Sequence, residues 1–402
     1  MKARIPLSRP YTDSEELAAV TKVLKSSWLT QGPYVKNLED MFCAKTDSQY
    51  AIAVTNGTSA LELGLISLGI GEGDIILTTS HSFIATANCI VRVGAIPFFA
   101  DVLQGGINLS PEDIESTIKE SFSTRTEGIF LKSSLLKKLG VPLKKAKLKA
   151  ILTVHQYGQP CDLMALKKLC KRYKLLLIED SACAIGSKYD SQPIGSCKYS
   201  DLSTFSLHPR KIITCGEGGI ITTNKKKIDK VLRLYRHHGM DTSDVKRHNN
   251  PKLARESYKI IGTNARLSDL HASVALAQMK KLDTMLTRRK EQVAEYLTHL
   301  EQIQELSLPF APFQHKWNYQ SLCFLVNSPS TRDRIKDYLL EKGIVSKGGI
   351  PPIHKQKAYQ NYHFLQLPES EKRFKDSLLL PIFHDLTIKD IKKITRFIKD
   401  AI

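Results

Sequence analysis

Residues 50–68 read Tyr50-Ala51-Ile52-Ala53-Val54-Thr55-Asn56-Gly57-Thr58-Ser59-Ala60-Leu61-Glu62-Leu63-Gly64-Leu65-Ile66-Ser67-Leu68. A short strand-forming run meets a Gly turn, and a helical pattern opens on its far side. The same unit sets the rhythm of the first two-thirds of the chain. Apolar runs at 75–78, 96–99, 150–154, 175–178, 202–206 and 219–223 predict further strands. Helical patterns fall at 60–68, 85–93 and 162–173, and one at 13–26 precedes them all, with Leu17, Val20 and Leu24 at helical spacing. Strands alternating with helices predict an α/β protein built on a large, mostly parallel sheet.

The rhythm changes after Arg266. A long helical pattern at 268–299 carries Leu270, Val274, Ala277, Met279, Leu282 and Leu286 at its apolar positions. An isolated strand at 320–326, a helix at 331–342, a strand-like turn into Gly348-Gly349 and a last helix at 388–398 follow. The reading therefore divides the chain into a large α/β domain, 1–265, and a linking helix with a smaller α+β domain, 266–402.

The chain has 402 residues, 42% of them hydrophobic, which excludes a disordered tail or a disulfide-stapled miniature and permits a large core. No apolar run approaches the ~20 residues of a membrane helix. The basic start Met1-Lys2-Ala3-Arg4 has no apolar stretch behind it, so the expectation is a cytoplasmic protein. Eight scattered cysteines, without a C-x-x-C, predict free thiols and no metal site. With 59 Lys+Arg against 40 Asp+Glu the formal net charge is +19. That charge attracts polyanions, but the lysines are spread widely and no nucleic-acid motif accompanies them. An anionic small molecule suits it equally well, and nucleic acid is not expected as the ligand.

Four stretches bear on chemistry. In Asn56-Gly57-Thr58-Ser59 a Gly turn opens a helix whose free N–H groups and dipole suit a phosphate; Thr58 or Ser59 could equally be simple N-caps. Leu176-Leu177-Ile178-Glu179-Asp180 ends an apolar strand in a carboxylate, at the edge where open α/β sheets bind ligands, or else in a helix cap. In Ser206-Leu207-His208-Pro209-Arg210-Lys211 a strand ends, Pro209 interrupts, and Lys211 precedes the Gly-rich turn Gly216-Glu217-Gly218-Gly219. A lysine held over a strand edge can form a Schiff base, although a solvated lysine is the default. Finally Gly262-Thr263-Asn264-Ala265-Arg266 precedes the long helix, where Asn264 and Arg266 could cap or reach a phosphate.

In sequence order these stretches resemble the DegT/DnrJ/EryC1/StrS sugar-nucleotide aminotransferases, a family of pyridoxal phosphate (PLP) enzymes of fold type I. The resemblance runs from IPLSRPYTDSEE and SSWLTQGPYVKNLE through VTNGTSALELGL, SFIATANCIVRVGAIPFFADV, VHQYGQPCDL and IEDSACAIGS. It continues with STFSLHPRKIITCGEGGIITT, LSDLHASVALAQM, EKGIVSKGGIPPIHKQKAY and LLLPI, and so covers nearly the whole chain. It implies a large, helix-sandwiched, mostly parallel sheet domain with a smaller C-terminal domain, and PLP as cofactor.

The resemblance also implies roles. Lys211 is the lysine that bonds to the cofactor and shuttles a proton, and Asp180 keeps the pyridine nitrogen protonated. Gly57, Thr58, Ser59 and Ser206 bind the phosphate, Phe83 stacks on the ring, and Asn264 reaches the phosphate across a homodimer interface. Trp28 and Thr30 line the substrate mouth. Cys183 lies beside the ring where many members carry His or Gln, and a thiol is the weaker hydrogen-bond partner. Thr263 and Ala265 replace two tyrosines of the usual loop. A basic segment at about 119–148 reads as an insertion, expected as a solvated surface helix.

The implied reaction moves an amino group from glutamate to a keto sugar, expected to be nucleotide-linked, for surface polysaccharide or lipopolysaccharide. Two rivals stay open. A sugar dehydratase of the same family would characteristically carry His in place of Lys211, and a non-catalytic sensor would not need Asp180, Ser206 and Lys211 together.

Overall fold

A computed structural model describes residues 5–139, 146–241 and 257–402. The first four residues, the centre of the basic insertion, 140–145, and residues 242–256 lie outside the described residues.

Sixteen strands are present among the described residues: β1 (Tyr50–Val54), β2 (Asp74–Thr79), β3 (Ile96–Ala100), β4 (Phe122–Arg125), β5 (Gly128–Leu131), β6 (Lys147–Val154), β7 (Leu176–Asp180), β8 (Lys188–Tyr189), β9 (Gln192–Pro193), β10 (Leu202–Ser206), β11 (Gly219–Thr223), β12 (Leu306–Ser307), β13 (His315–Lys316), β14 (Leu322–Val326), β15 (Lys347–Gly348) and β16 (Ser377–Leu380). The large sheet runs β1-β11-β10-β7-β6-β2-β3. Every pairing from β10 to β3 is parallel, whereas β11 lies antiparallel between β1 and β10. The chain proceeds from β6 to one side of the sheet and from β2 to the other. That reversal opens a crevice at the carboxyl ends of the central strands.

Both faces of this sheet are covered. Alternate residues point to opposite faces, so Ala150, Leu152 and Ile178 enter one apolar cluster while Ile151 and Leu177 enter another; a register shift after Leu148 puts that residue with the second group. This is why the central strands read as unbroken apolar runs. A second sheet, β12-β14-β16-β15, is packed by the helices Pro329–Glu341 and Ile388–Ala401. The helix Asp269–Leu300 joins the two regions. Its first half sends Ala272, Ala275, Met279 and Leu282 under the large sheet, and its last turns send Val293, Tyr296 and Leu300 under the small one.

The expected surface helix in the basic insertion is corrected by the structure. Residues 122–131 form the β4–β5 hairpin, which joins the sheet through Phe130 opposite Lys147 of β6. Phe122, Ile129 and Leu131 are buried in the cluster beneath, and among the described residues a helical turn, Ser133–Leu136, and a 3-10 turn, Lys137–Leu139, follow before β6. The exposed residues Thr124, Arg125, Thr126 and Glu127 gather at the turn, so no alternation of apolar and polar residues marks the pair.

Candidate active site

The carboxyl ends of β1, β6, β7 and β10, with the start of β11, surround a cleft of about 690 Å³. Gly57, Thr58, Ser59, Phe83, Asp180, Cys183, Ser206 and Lys211 all line it.

The turn after β1 becomes the N-terminus of the helix Gly57–Ser67. Asn56 caps it, its Oδ1 accepting from the Ser59 N–H at 2.8 Å. The N–H groups of Gly57 and Thr58 have no carbonyl a turn earlier, which leaves donors and a positive dipole end at the cleft. Small residues make this cradle possible. A Cβ on Gly57 would lie 2.8 Å from Cβ of Ser206, and one on Gly219 would lie 2.3 Å from the Asn56 carbonyl oxygen. The Gly57 backbone and the Ser206 side chain therefore lie against one another at the edge of the cleft.

Asp180 closes β7 and is buried. Its Oδ2 accepts from Thr86 Oγ1 at 2.9 Å, and its Oδ1 from the Ala182 N–H at 3.2 Å. Burial pushes its carboxyl above the usual carboxylate range, while Thr86, Ala182 and the Lys211 ammonium pull it back. A carboxylate held at such cost is poised to keep a proton on a cationic partner. Phe83 is 70% exposed, an aromatic face offered to the cleft.

Lys211 follows β10 in a tight turn, its N–H donating to the His208 carbonyl at 2.8 Å. β10 ends at Ser206, and the turn through Pro209 brings the Lys211 side chain to the cleft. Its Nζ donates to Cys183 Sγ at 3.1 Å. The thiol is legible in the sequence, but its pairing with this lysine is not.

Three predicted residues stand away from this cleft. Trp28 and Thr30 lie in a loop pinned to the start of the long helix, where Asp269 Oδ1 accepts from the Gly32 and Val35 N–H groups. Asn264 is exposed and bridges to His237, while its neighbour Ala265 is buried under the large sheet.

Other residues lining the cleft were not assigned from sequence. Thr86 holds Asp180, and nothing local announces a contact across 94 residues. His155 lies below, its Nδ1 accepting from the Cys161 N–H at 3.0 Å and its Nε2 facing the Glu179 carboxylate at 2.8 Å. Those bonds fix the His155 ring as a buried strut between β6 and β7. Arg92, Arg210 and Lys347 bring positive charge to the rim.

Among the described residues no helix is long and apolar enough to cross a membrane. A family model, the DegT/DnrJ/EryC1/StrS aminotransferase family, matches residues 10–399. Solved structures agree. Helicobacter pylori PseC, an aminotransferase involved in the biosynthesis of pseudoaminic acid, is 25% identical with a TM-score of 0.84, covering 99% of this chain and 98% of its own. DesV of S. venezuelae, solved with a ketimine intermediate, is 27% identical with a TM-score of 0.83 over 99% and 98%. An aminotransferase from Psychrobacter cryohalolentis is 27% identical with a TM-score of 0.84 over 98% and 97%.

Proposed function

This chain belongs to the DegT/DnrJ/EryC1/StrS aminotransferase family, and from that premise we propose that it is a PLP-dependent sugar aminotransferase whose cofactor sits in the cleft between Phe83, Asp180 and Lys211. The observation that carries the reading is the placement of a buried carboxylate, a lysine and a helix N-terminus around one space. PLP supplies, when bound, an electron sink for breaking a Cα–H bond. The chain does the rest. The helix N-terminus at Gly57 and Thr58, with Ser59 and Ser206, binds the phosphate. Asp180, oriented by Thr86, holds a proton at the ring nitrogen. Phe83 and Cys183, which line the same cleft, would contact the cofactor ring. Lys211 Nζ anchors the cofactor, then takes and returns the proton as the amino group moves.

The donor is glutamate and the acceptor a keto sugar, carried on a nucleotide whose phosphates meet Arg210 and Lys347 at the rim. The product is an amino sugar for surface polysaccharide or lipopolysaccharide. The reaction runs in two halves through one lysine, in the cytoplasm. Asn264, which stands outside this cleft, acts across a homodimer interface, and Trp28 and Thr30 line the substrate mouth; light scattering should read twice the chain mass, and a monomer would sink the part given to Asn264.

Absorbance tests the reading directly. With PLP added, the purified protein should show the band of lysine-bound cofactor, and glutamate should bleach it. Lys211→Ala should lack the band and lose on the order of 10²–10⁴-fold in turnover. A protein without the band at saturating PLP overturns the proposal. A band that glutamate leaves untouched points to another donor or to the dehydratase.

A further inference from the structure

We propose that Cys183 and Lys211 form an oxidation site, in which peroxide joins their side chains by an S–N bond and withholds the lysine from the cofactor. The inference rests on the reading of Lys211 as the cofactor lysine. Its geometry is direct. Nζ lies 3.1 Å from Sγ, and both groups line the cleft, where small solutes reach them.

Among the eight cysteines only Cys43 and Cys183 are not fully buried. Cys43 has Ser48 and the carboxylates of Asp40 and Glu39 nearby, and burial pushes its thiol up. Cys183 is the one of the two whose sulfur accepts from an amine.

The chemistry balances with peroxide as the oxidant. Peroxide transfers one oxygen to Sγ, giving a sulfenic acid and water, and the sulfur loses two electrons. The free amine of Lys211 then attacks Sγ. The S–O bond breaks, hydroxide leaves with a proton from the nitrogen as water, and an N–S bond remains. A thiol reverses it by attacking Sγ, which releases the amine as a mixed disulfide forms; a second thiol then frees Cys183. While the bond stands, the nitrogen cannot hold PLP. Conversely, PLP bound to Lys211 removes the attacking amine. The exposed states are therefore the cofactor-free protein and the stage between half-reactions when the lysine is free.

Full-length protein, stripped of cofactor or loaded with PLP, is treated with hydrogen peroxide, digested and examined by mass spectrometry. The expected product is a cross-linked pair of peptides holding Cys183 and Lys211, lighter than their sum by two hydrogen atoms. It should be absent from Cys183→Ser and Lys211→Arg, should vanish with dithiothreitol, and should form at least about tenfold more slowly in loaded protein. Recovery of Cys183 as sulfinic acid, or unmodified, with Lys211 free overturns the proposal. Equal rates with and without PLP overturn the competition with cofactor. Because the readout is a peptide mass, it does not depend on the functional reading, which fails separately if untreated protein shows no PLP band.

Discussion

Asp180 shows how a single side chain carries opposed demands. Its burial disfavours the charge that its proposed role requires, while Thr86, the Ala182 N–H and Lys211 favour it. The folded carboxyl therefore titrates above its unfolded value, so folding loses stability as pH rises from the unfolded value through the folded one. Asp180→Asn keeps the shape and removes that charge. We predict that the cofactor-free variant melts no lower than wild type at neutral pH, while its affinity for PLP falls on the order of tenfold to a hundredfold. Differential scanning fluorimetry with a fluorescence titration checks both. A variant that melts lower but binds PLP normally would make Asp180 a purely structural residue.

At the scale of elements, the turn after β1 and the start of β11 depend on one another. A Cβ added at Gly219 would meet backbone of Asn56 and Gly57 at 2.3, 2.5 and 2.9 Å, and backbone cannot swing aside as a side-chain tip can. Gly219→Ala should cost about 3 kcal/mol in urea unfolding, as overpacking does, and should also weaken phosphate binding. Gly69→Ala is the control. Its φ of +70° is left-handed but nothing lies within 4 Å of the added Cβ. It should cost only about 1 kcal/mol and leave cofactor affinity unchanged. Equal losses in both variants would mean that conformation, not crowding, governs the turn.

For the molecule as a whole, the buried His81 contributes to the response to acid. His81 is fully buried beyond the end of β2, its Nδ1 bonded to the Ile107 carbonyl at 3.1 Å. Burial pushes its pKa down from 6.5 to about 4, so the folded protein holds it neutral while the unfolded chain takes up a proton. The stability it contributes is present above the unfolded value and lost as pH falls from about 6.5 to 4. The full difference is about 3 kcal/mol. His81→Gln should flatten the loss of melting temperature across that window. An unchanged slope would assign the acid response to other groups.

Local sequence dictates the strands and helices wherever burial follows a period. The runs at 150–154, 202–206 and 219–223 became β6, β10 and β11, and the pattern at 268–299 became the helix Asp269–Leu300. It also determined which residue types end those strands, so Asp180, Ser206, Lys211 and the Gly57 turn could be read as candidates. The β4–β5 hairpin was not legible, because its strands are short and show no apolar–polar alternation, and the strand it joins lies further along the chain. The antiparallel insertion of β11, the hold of Thr86 on Asp180 and the contact of Lys211 with Cys183 were decided only by the tertiary structure. Local periodicity records which face of an element is buried. Which distant side chains meet depends on strand order and crossover, and no local pattern encodes those.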